Sequence, residues 1–177
     1  MRHPRPTVRA LVGGFVALAL LAAGCGYSLV GTGRSVLPSH ITSVAVPLFA
    51  NKTLEPELEK EITNAIRQEF IRDGRLKVVD TARATSILEG RLVSYTLDPI
   101  AFDLTDRVTH YRVVIGVHIT YKDLVEDKVI LEQGFSAREE FRVSSTLASR
   151  EAAKVESRQV AAKELAGQLL NLILEGF

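Results

Sequence analysis

The segment from Tyr111 to Tyr121 does most to limit what this chain can fold into. Tyr111, Val113, Ile115, Val117, Ile119 and Tyr121 fall on one side of an extended backbone, while His110, Arg112, Val114, Gly116, His118, Thr120 and Lys122 fall on the other. Alternation of this kind marks a strand buried on one face only. A polar turn around Glu126 and Asp127 leads to a second run in which Val129, Leu131, Phe135, Ala137, Phe141 and Val143 share a face. The two runs predict a long antiparallel hairpin with one apolar side. The pattern leaves its register open.

That apolar side needs a cover, and the rest of the chain supplies it. Thr42–Phe49 is short and rich in Val, and reads as a strand with Pro47 near its end. Thr53 is the expected N-cap of a helix, with Glu55 and Glu57 in its first turn and Pro56 tolerated there. Leu58, Ile62, Ala65, Ile66 and Phe70 recur at helical spacing, and Gly74 supplies a left-handed stop. Arg75–Asp80 reads as a strand, and a helical crossover of this length favours a parallel pair with the first one. Ser86–Leu97 is a further strand with a bulge expected near Gly90, and 98–106, which contains Pro99, reads as irregular. A last helix starts between Ser145 and Ser149 and runs to Leu174, with Val155, Ala162, Leu165, Leu169 and Ile173 as its core stripe. The expected fold is α+β: a two-layer sandwich, with a mixed sheet of about four to five strands and two long helices packed on one face.

The N-terminus has a different character. Residues 1–24 carry Arg2, Arg5 and Arg9, no acid, and an uncharged stretch from Leu11 to Ala23. This is the layout of a signal peptide, and it falls short of the roughly 20 apolar residues that span a bilayer. Cys25 is the chain's single cysteine and sits at the expected cut, in Leu21-Ala22-Ala23-Gly24-Cys25-Gly26. The segment resembles a bacterial lipobox, with Ala22 where the usual Leu stands. The expectation is cleavage before Cys25 and acylation there, palmitate included; the competing reading is an ordinary signal peptide with an incidental cysteine. Residues 25–42 then form the lipidated start and a Gly-, Ser-, Thr- and Pro-containing linker, and 43–177 a single α+β domain. Two or three acyl chains anchor far more firmly than one.

No catalytic constellation is visible. His110 and His118 share a strand face, but at about 3.4 Å per residue they lie roughly 27 Å apart, too far for one metal. His40 stands alone, and no HExxH, CxxC or GxSxG motif occurs. Gly31-Thr32-Gly33-Arg34 lacks the Lys and Ser/Thr of a phosphate loop. The expectation is therefore no enzyme, no metal and no cofactor. A formal charge of +1 over 177 residues, carried partly by the leader's arginines, lacks the basic footprint of a nucleic-acid binder. The polar face of the hairpin carries Arg112, Lys122, Arg138 and Arg142 beside Gly116, Thr120 and Ser136, with Glu132 and Glu140 on the same side. It reads in two ways: as a solvated face with cross-strand ion pairs, Arg112 opposite Glu140 among them, or as a docking surface for an anionic amphiphile. Arg107 and Arg150 flank it in sequence.

Cys25-Gly26-Tyr27-Ser28-Leu29-Val30-Gly31 resembles the start of the LPS-assembly lipoprotein family LptE. The likeness continues through Val44-Ala45-Val46-Pro47-Leu48-Phe49, Asn51-Lys52-Thr53, Glu55-Pro56-Glu57-Leu58-Glu59 and Arg72-Asp73-Gly74-Arg75-Leu76. It ends with Ala101-Phe102-Asp103, Tyr111-Arg112-Val113 and Leu174-Glu175-Gly176-Phe177. The resemblance implies a plug and assembly partner for the LPS-translocating β-barrel LptD, which binds lipopolysaccharide during its insertion into the outer leaflet. It implies a lipid anchor on the periplasmic side of the cell outer membrane, and Gly26 lacks the Asp associated with inner-membrane retention. Within this picture Arg107, Arg112, Arg142 and Arg150 are the candidates for holding lipid phosphates. The first strand, helix and second strand also resemble CsgG-like and LpoB-like lipoproteins, a secretion-pore subunit and a cell-wall synthase activator.

Overall fold

The computed structural model of the chain describes residues 36–143 and 146–176; the expected signal peptide, Cys25 and the linker up to residue 35 lie outside the described residues. Six strands form one mixed sheet: β1 (Ser43–Ala45), β2 (Ala50–Asn51), β3 (Lys77–Val78), β4 (Ser86–Phe102), β5 (Val108–Asp123) and β6 (Lys128–Arg142). Their order is β3-β1-β4-β5-β6, with β2 also paired to β4. The helices α1 (Leu58–Asp73) and α2 (Leu147–Glu175) cover one face. The architecture is the expected α+β one with a somewhat larger sheet. The expected strand over 42–49 ends at Ala45, and the chain rejoins the sheet only at Ala50. Pro47, in the gap, has no N–H to offer a ladder.

α1 forms on the predicted stripe: Leu58, Ile62, Ile66 and Phe70 are all buried. Its start differs from the expectation. Thr53 does not cap the helix. Its N–H and its hydroxyl both donate to Asn51 Oδ1, at 2.9 and 2.8 Å, and this side-chain turn delays the helix to Leu58. The stop is as expected: Gly74 takes φ 77° and its N–H donates to Phe70 O at 3.1 Å. The crossover then returns β3 parallel to β1, with Ser43 opposite Lys77 and Val44 opposite Val78. β4 pairs with β1 from the other side, also parallel.

β4 runs on through Pro99 to Phe102, where an irregular segment was expected. Beyond Leu92 no described strand pairs with its other side, and an edge tolerates the N–H that proline lacks. Gly90 is not a bulge; the register shifts come between Leu92 and Ser94, between Pro99 and Ala101 and between Ala101 and Phe102, the last two within the segment expected to be irregular. The glycine has another cause. A Cβ at Gly90 would lie 2.2 Å from Cε2 of Phe49, so the backbone itself is the floor on which that buried ring rests.

β5 and β6 form the expected hairpin, with Arg112 opposite Glu140 and Ile115 opposite Ala137. Val113, Ile115, Val117, Ile119 and Tyr121 are buried against the helices. One register shift sits at the closed end: Tyr121 faces Leu131, but Lys122 faces Val129. The additional residue, Ile130, turns Val129 off the apolar face, and Val129 is 47% exposed. α2 is capped by Thr146, whose side chain accepts from the Ser149 N–H. Ala162, Leu165, Leu169 and Ile173 are buried as predicted. Val155 is exposed, because burial along α2 begins only at Ser157.

The long elements run side by side and give the domain two ends. The β4–β5 turn, the end of β6 and the start of α2 lie at one end, the tip. The β5–β6 turn and the end of α2 lie at the other, the base; there the Val36 N–H donates to Leu174 O at 3.0 Å. At about 3.3 Å per residue, β5 alone spans roughly 50 Å.

Candidate functional site

The tip is built around one carboxylate. Asp103 Oδ1 accepts from the Thr105 N–H (2.7 Å), the Thr105 hydroxyl (2.6 Å) and the Arg107 N–H (3.1 Å). Its own N–H donates to Arg107 O at 2.9 Å, which closes the turn between β4 and β5. Asp and Thr at this spacing favour such local closure over a continued strand. The turn displays Arg107, 76% exposed at its side chain, with Nε donating to Thr105 Oγ1 at 2.9 Å. Beside it stand Phe102, 57% exposed, and Leu104, fully exposed. A cation flanked by two unburied apolar side chains is an amphipathic surface.

The donors around Asp103, the Thr105 hydroxyl foremost, hold its carboxyl down at about 2. Its pKa is depressed in the folded chain, so the order it gives the turn is complete above the usual carboxylate range. That order is lost as pH falls through about 2. A carboxyl-detected NMR titration should place the Asp103 midpoint near 2, with the Thr105 and Arg107 amide resonances moving in step. A midpoint near 4 would show that the turn is not organised in this way.

Behind the tip lies the open face of the sheet. Arg112 is engaged by Glu140, with Nε and Nη2 at 2.9 and 2.6 Å from Oε1. Two residues nearer the tip on the same face, Arg142 Nε donates to His110 Nε2 at 3.2 Å, and His110 Nδ1 meets the Thr109 hydroxyl at 3.1 Å. Nearer the base His118 lies 3.8 Å from Glu132, and Lys122 pairs with Asp127. In the middle the face is bare of bulk: Gly116 lies opposite Ser94 and Ser136, and a Cβ there would reach within 2.3 Å of Ser94 Oγ.

The structure therefore sorts the four candidate arginines. Arg107 and Arg142 stand exposed at the tip, Arg107 with Asp103 Oδ2 3.4 Å from its Nε and Arg142 bonded to His110. Arg112 is near them and is held more closely, by two bonds to Glu140, as the ion-pair reading of this face expected. Arg150 is exposed in the first turns of α2, the layer on the opposite side of the sheet. Sequence reasoning missed Phe102 and Leu104, because the segment around Pro99 read as irregular. The available signal was an apolar pair set directly beside a turn carboxylate.

The family model for lipopolysaccharide assembly, LptE, matches residues 41–175, which is nearly all of the described chain. The chain belongs to the LptE family. This places it in lipopolysaccharide assembly, within a family of non-enzymatic assembly lipoproteins. No curated protein sequence matches this LptE-family chain. Solved structures share its fold at low identity. Lipoprotein B of Nitrosomonas europaea is 17% identical with a TM-score of 0.53, over 84% of this chain and 90% of that one. PelC of Paraburkholderia phytofirmans, solved as a dodecamer, is 16% identical with a TM-score of 0.51, over 79% and 94%. No helix among the described residues is long and apolar enough to cross a membrane.

Proposed function

We propose that this chain is the lipid-anchored plug and assembly partner of an LptD-type outer-membrane barrel, and that it binds lipopolysaccharide at its tip during insertion into the outer leaflet. The observation that carries the reading is the pairing of Arg107 and Arg142 with the exposed Phe102 and Leu104 at one end of the molecule. Lipid A offers phosphates next to acyl chains, and this end offers guanidinium groups next to apolar side chains. Arg binds phosphate through two parallel N–H donors, and each charge-assisted bond contributes about 1.5–3 kcal/mol. The first described residue, Val36, joins the fold at the opposite end, where its N–H donates to Leu174 O. The family match supports the role as a whole; the choice of these side chains is ours.

Two measurements test it. A mild-detergent pull-down of the full-length chain from its own outer membrane should recover a large β-barrel in near one-to-one amount. Recovery of a cell-wall synthase or of a ring of this chain alone would instead favour the LpoB-like or CsgG-like alternative. Arg107→Glu with Arg142→Glu should then weaken lipopolysaccharide binding about tenfold or more, with the unfolding midpoint unchanged, since both side chains are exposed. Unaltered binding in the double variant would remove the tip from the mechanism.

A further inference from the structure

At the base, far from the tip, three metal-ligating side chains converge. His40 Nε2 lies 2.5 Å from Asp123 Oδ2, and one ligand atom each from His40, Asp123 and Glu126 lie within 4.8 Å of one another. The three come from two segments. Asp123 closes β5 and Glu126 lies in the turn that follows, whereas His40 belongs to the turn that leads into β1, where the Ile41 N–H donates to Pro38 O at 3.0 Å. The Asp123 side chain is only 2% exposed, and that of His40 is 32% exposed.

The carboxylate of Asp123 is held in place for this. Its Oδ1 accepts from the Val125 N–H at 2.8 Å and the Glu126 N–H at 3.2 Å. That leaves Oδ2 aimed at the imidazole. The same two bonds fold the turn so that the backbone of Glu126 comes back toward Asp123 and brings a second carboxylate beside the first. The fold thus holds a buried carboxylate by two backbone N–H groups, sets an imidazole on it, and adds an exposed carboxylate from the solvent side.

We propose that His40, Asp123 and Glu126 form a three-ligand site for a divalent transition-metal ion, Zn²⁺ foremost, which staples the chain's entry into the fold to the β5–β6 turn. One imidazole nitrogen and two carboxylate oxygens suit Zn²⁺, with a water completing a tetrahedron. Zinc takes these ligands at about 2.0–2.2 Å, so the imidazole and Asp123 Oδ2 need part by only about 1 Å to admit it. The imidazole favours such an ion over the hard ions Mg²⁺ and Ca²⁺, which take oxygen ligands. The ion would take the place of the hydrogen bond between His40 and Asp123 and tie the turn before β1 to the β5–β6 turn. The site is independent of the lipopolysaccharide reading.

The test is calorimetric titration of Zn²⁺ into the full chain in detergent, in a Cys25→Ser background so that the lone thiol does not compete. One ion per chain is expected. His40→Ala and Glu126→Gln should each weaken binding at least about tenfold. Glu126→Gln is the discriminating variant, since Glu126 is exposed and its loss leaves the His40–Asp123 contact intact. Without metal its melting midpoint should equal that of the parent; with excess Zn²⁺ the parent's midpoint should rise by roughly 5 °C and the variant's should not. Mg²⁺ should move neither. No binding by the parent, or equal affinity in parent and Glu126→Gln, would overturn the site and leave a simple histidine–carboxylate pair.

Discussion

Phe49→Ala should lower the unfolding free energy by about 3–5 kcal/mol, the largest effect expected of any single substitution outside the glycines. The ring is 2% exposed and lies against Gly90, where a Cβ would come within 2.2–2.5 Å of three of its carbons. Its backbone N–H donates to Thr63 Oγ1 at 3.1 Å, so α1 holds the residue from above while β4 receives it from below. The ring therefore couples a helix to the sheet at the point where β1 gives way to β2, and the surrounding elements are too well tied to collapse into the void. Gly90→Ala alone should cost about 1–3 kcal/mol, through forced displacement of the ring. Combined with Phe49→Ala it should cost little more than Phe49→Ala by itself, because the added methyl enters the space the ring has left. Urea denaturation of the four proteins gives the cycle directly. Additive losses would show that ring and glycine do not share one space.

Arg158→Ala should cost about 2–3 kcal/mol, again by urea denaturation, once the partial exposure of its partners is allowed for. Arg158 projects from α2 between two carboxylates: Nη1 pairs with Glu55, and Nη2 lies 2.5 Å from Glu61 Oε1. Lys154 adds a contact to Glu55 at 3.0 Å. The side chains are 12–26% exposed, so neither carboxylate can hydrate fully when the guanidinium is removed. The pair is a weak source of net stability and a strong source of loss when broken on one side. Arg158→Met with Glu55→Gln and Glu61→Gln should accordingly recover most of what Arg158→Ala loses. If the triple variant were as unstable as the single one, the charges themselves, and not the orphaned carboxylates, would be holding α2 to the α1 entrance.

The elements that could be read in the sequence were those whose cause is local. Alternation from Tyr111 to Tyr121, the stripe from Leu58 to Phe70 and the stop at Gly74 depend on residues near in sequence, and they stand where predicted. The alternation left the hairpin's register open; Arg112 opposite Glu140, one of the pairings that opposite charge suggested, is the one that forms. What escaped depends on distant neighbours. Gly90 looked like a bulge because nothing near it in sequence reveals that Phe49 lies on it. Thr53 looked like a cap because the competing acceptor, Asn51 Oδ1, wins only once the turn has closed. Val155 matched the helical stripe, but the sheet beneath α2 is engaged only from Ser157 onward. Of the site, the arginines were legible as charges on a face. Their sorting into Arg112 clasped by Glu140, Arg107 and Arg142 exposed at the tip, and distant Arg150 was not. His40 looked solitary for the same reason: its partner lies 83 residues away.

The length of the three-strand blade has a consequence of its own. Roughly 50 Å of strand exceeds the hydrocarbon thickness of a bilayer, about 30 Å, with the headgroup regions nearly included. A blade of this length standing along the membrane normal would hold Arg107 and the β5–β6 turn a full bilayer apart without any conformational change. The blade then works as a gauge block, setting how far from the base a cation is presented. Because side chains alternate, such a gauge can be recut only in steps of two residues per strand, about 7 Å at a time. A single-residue change would turn the polar face inward. Half-steps are nonetheless present, at Ile130 in the base end of β6 and in the β4–β5 ladder between Leu92 and Ser94 and again after Pro99 and Ala101, each absorbing an odd residue locally.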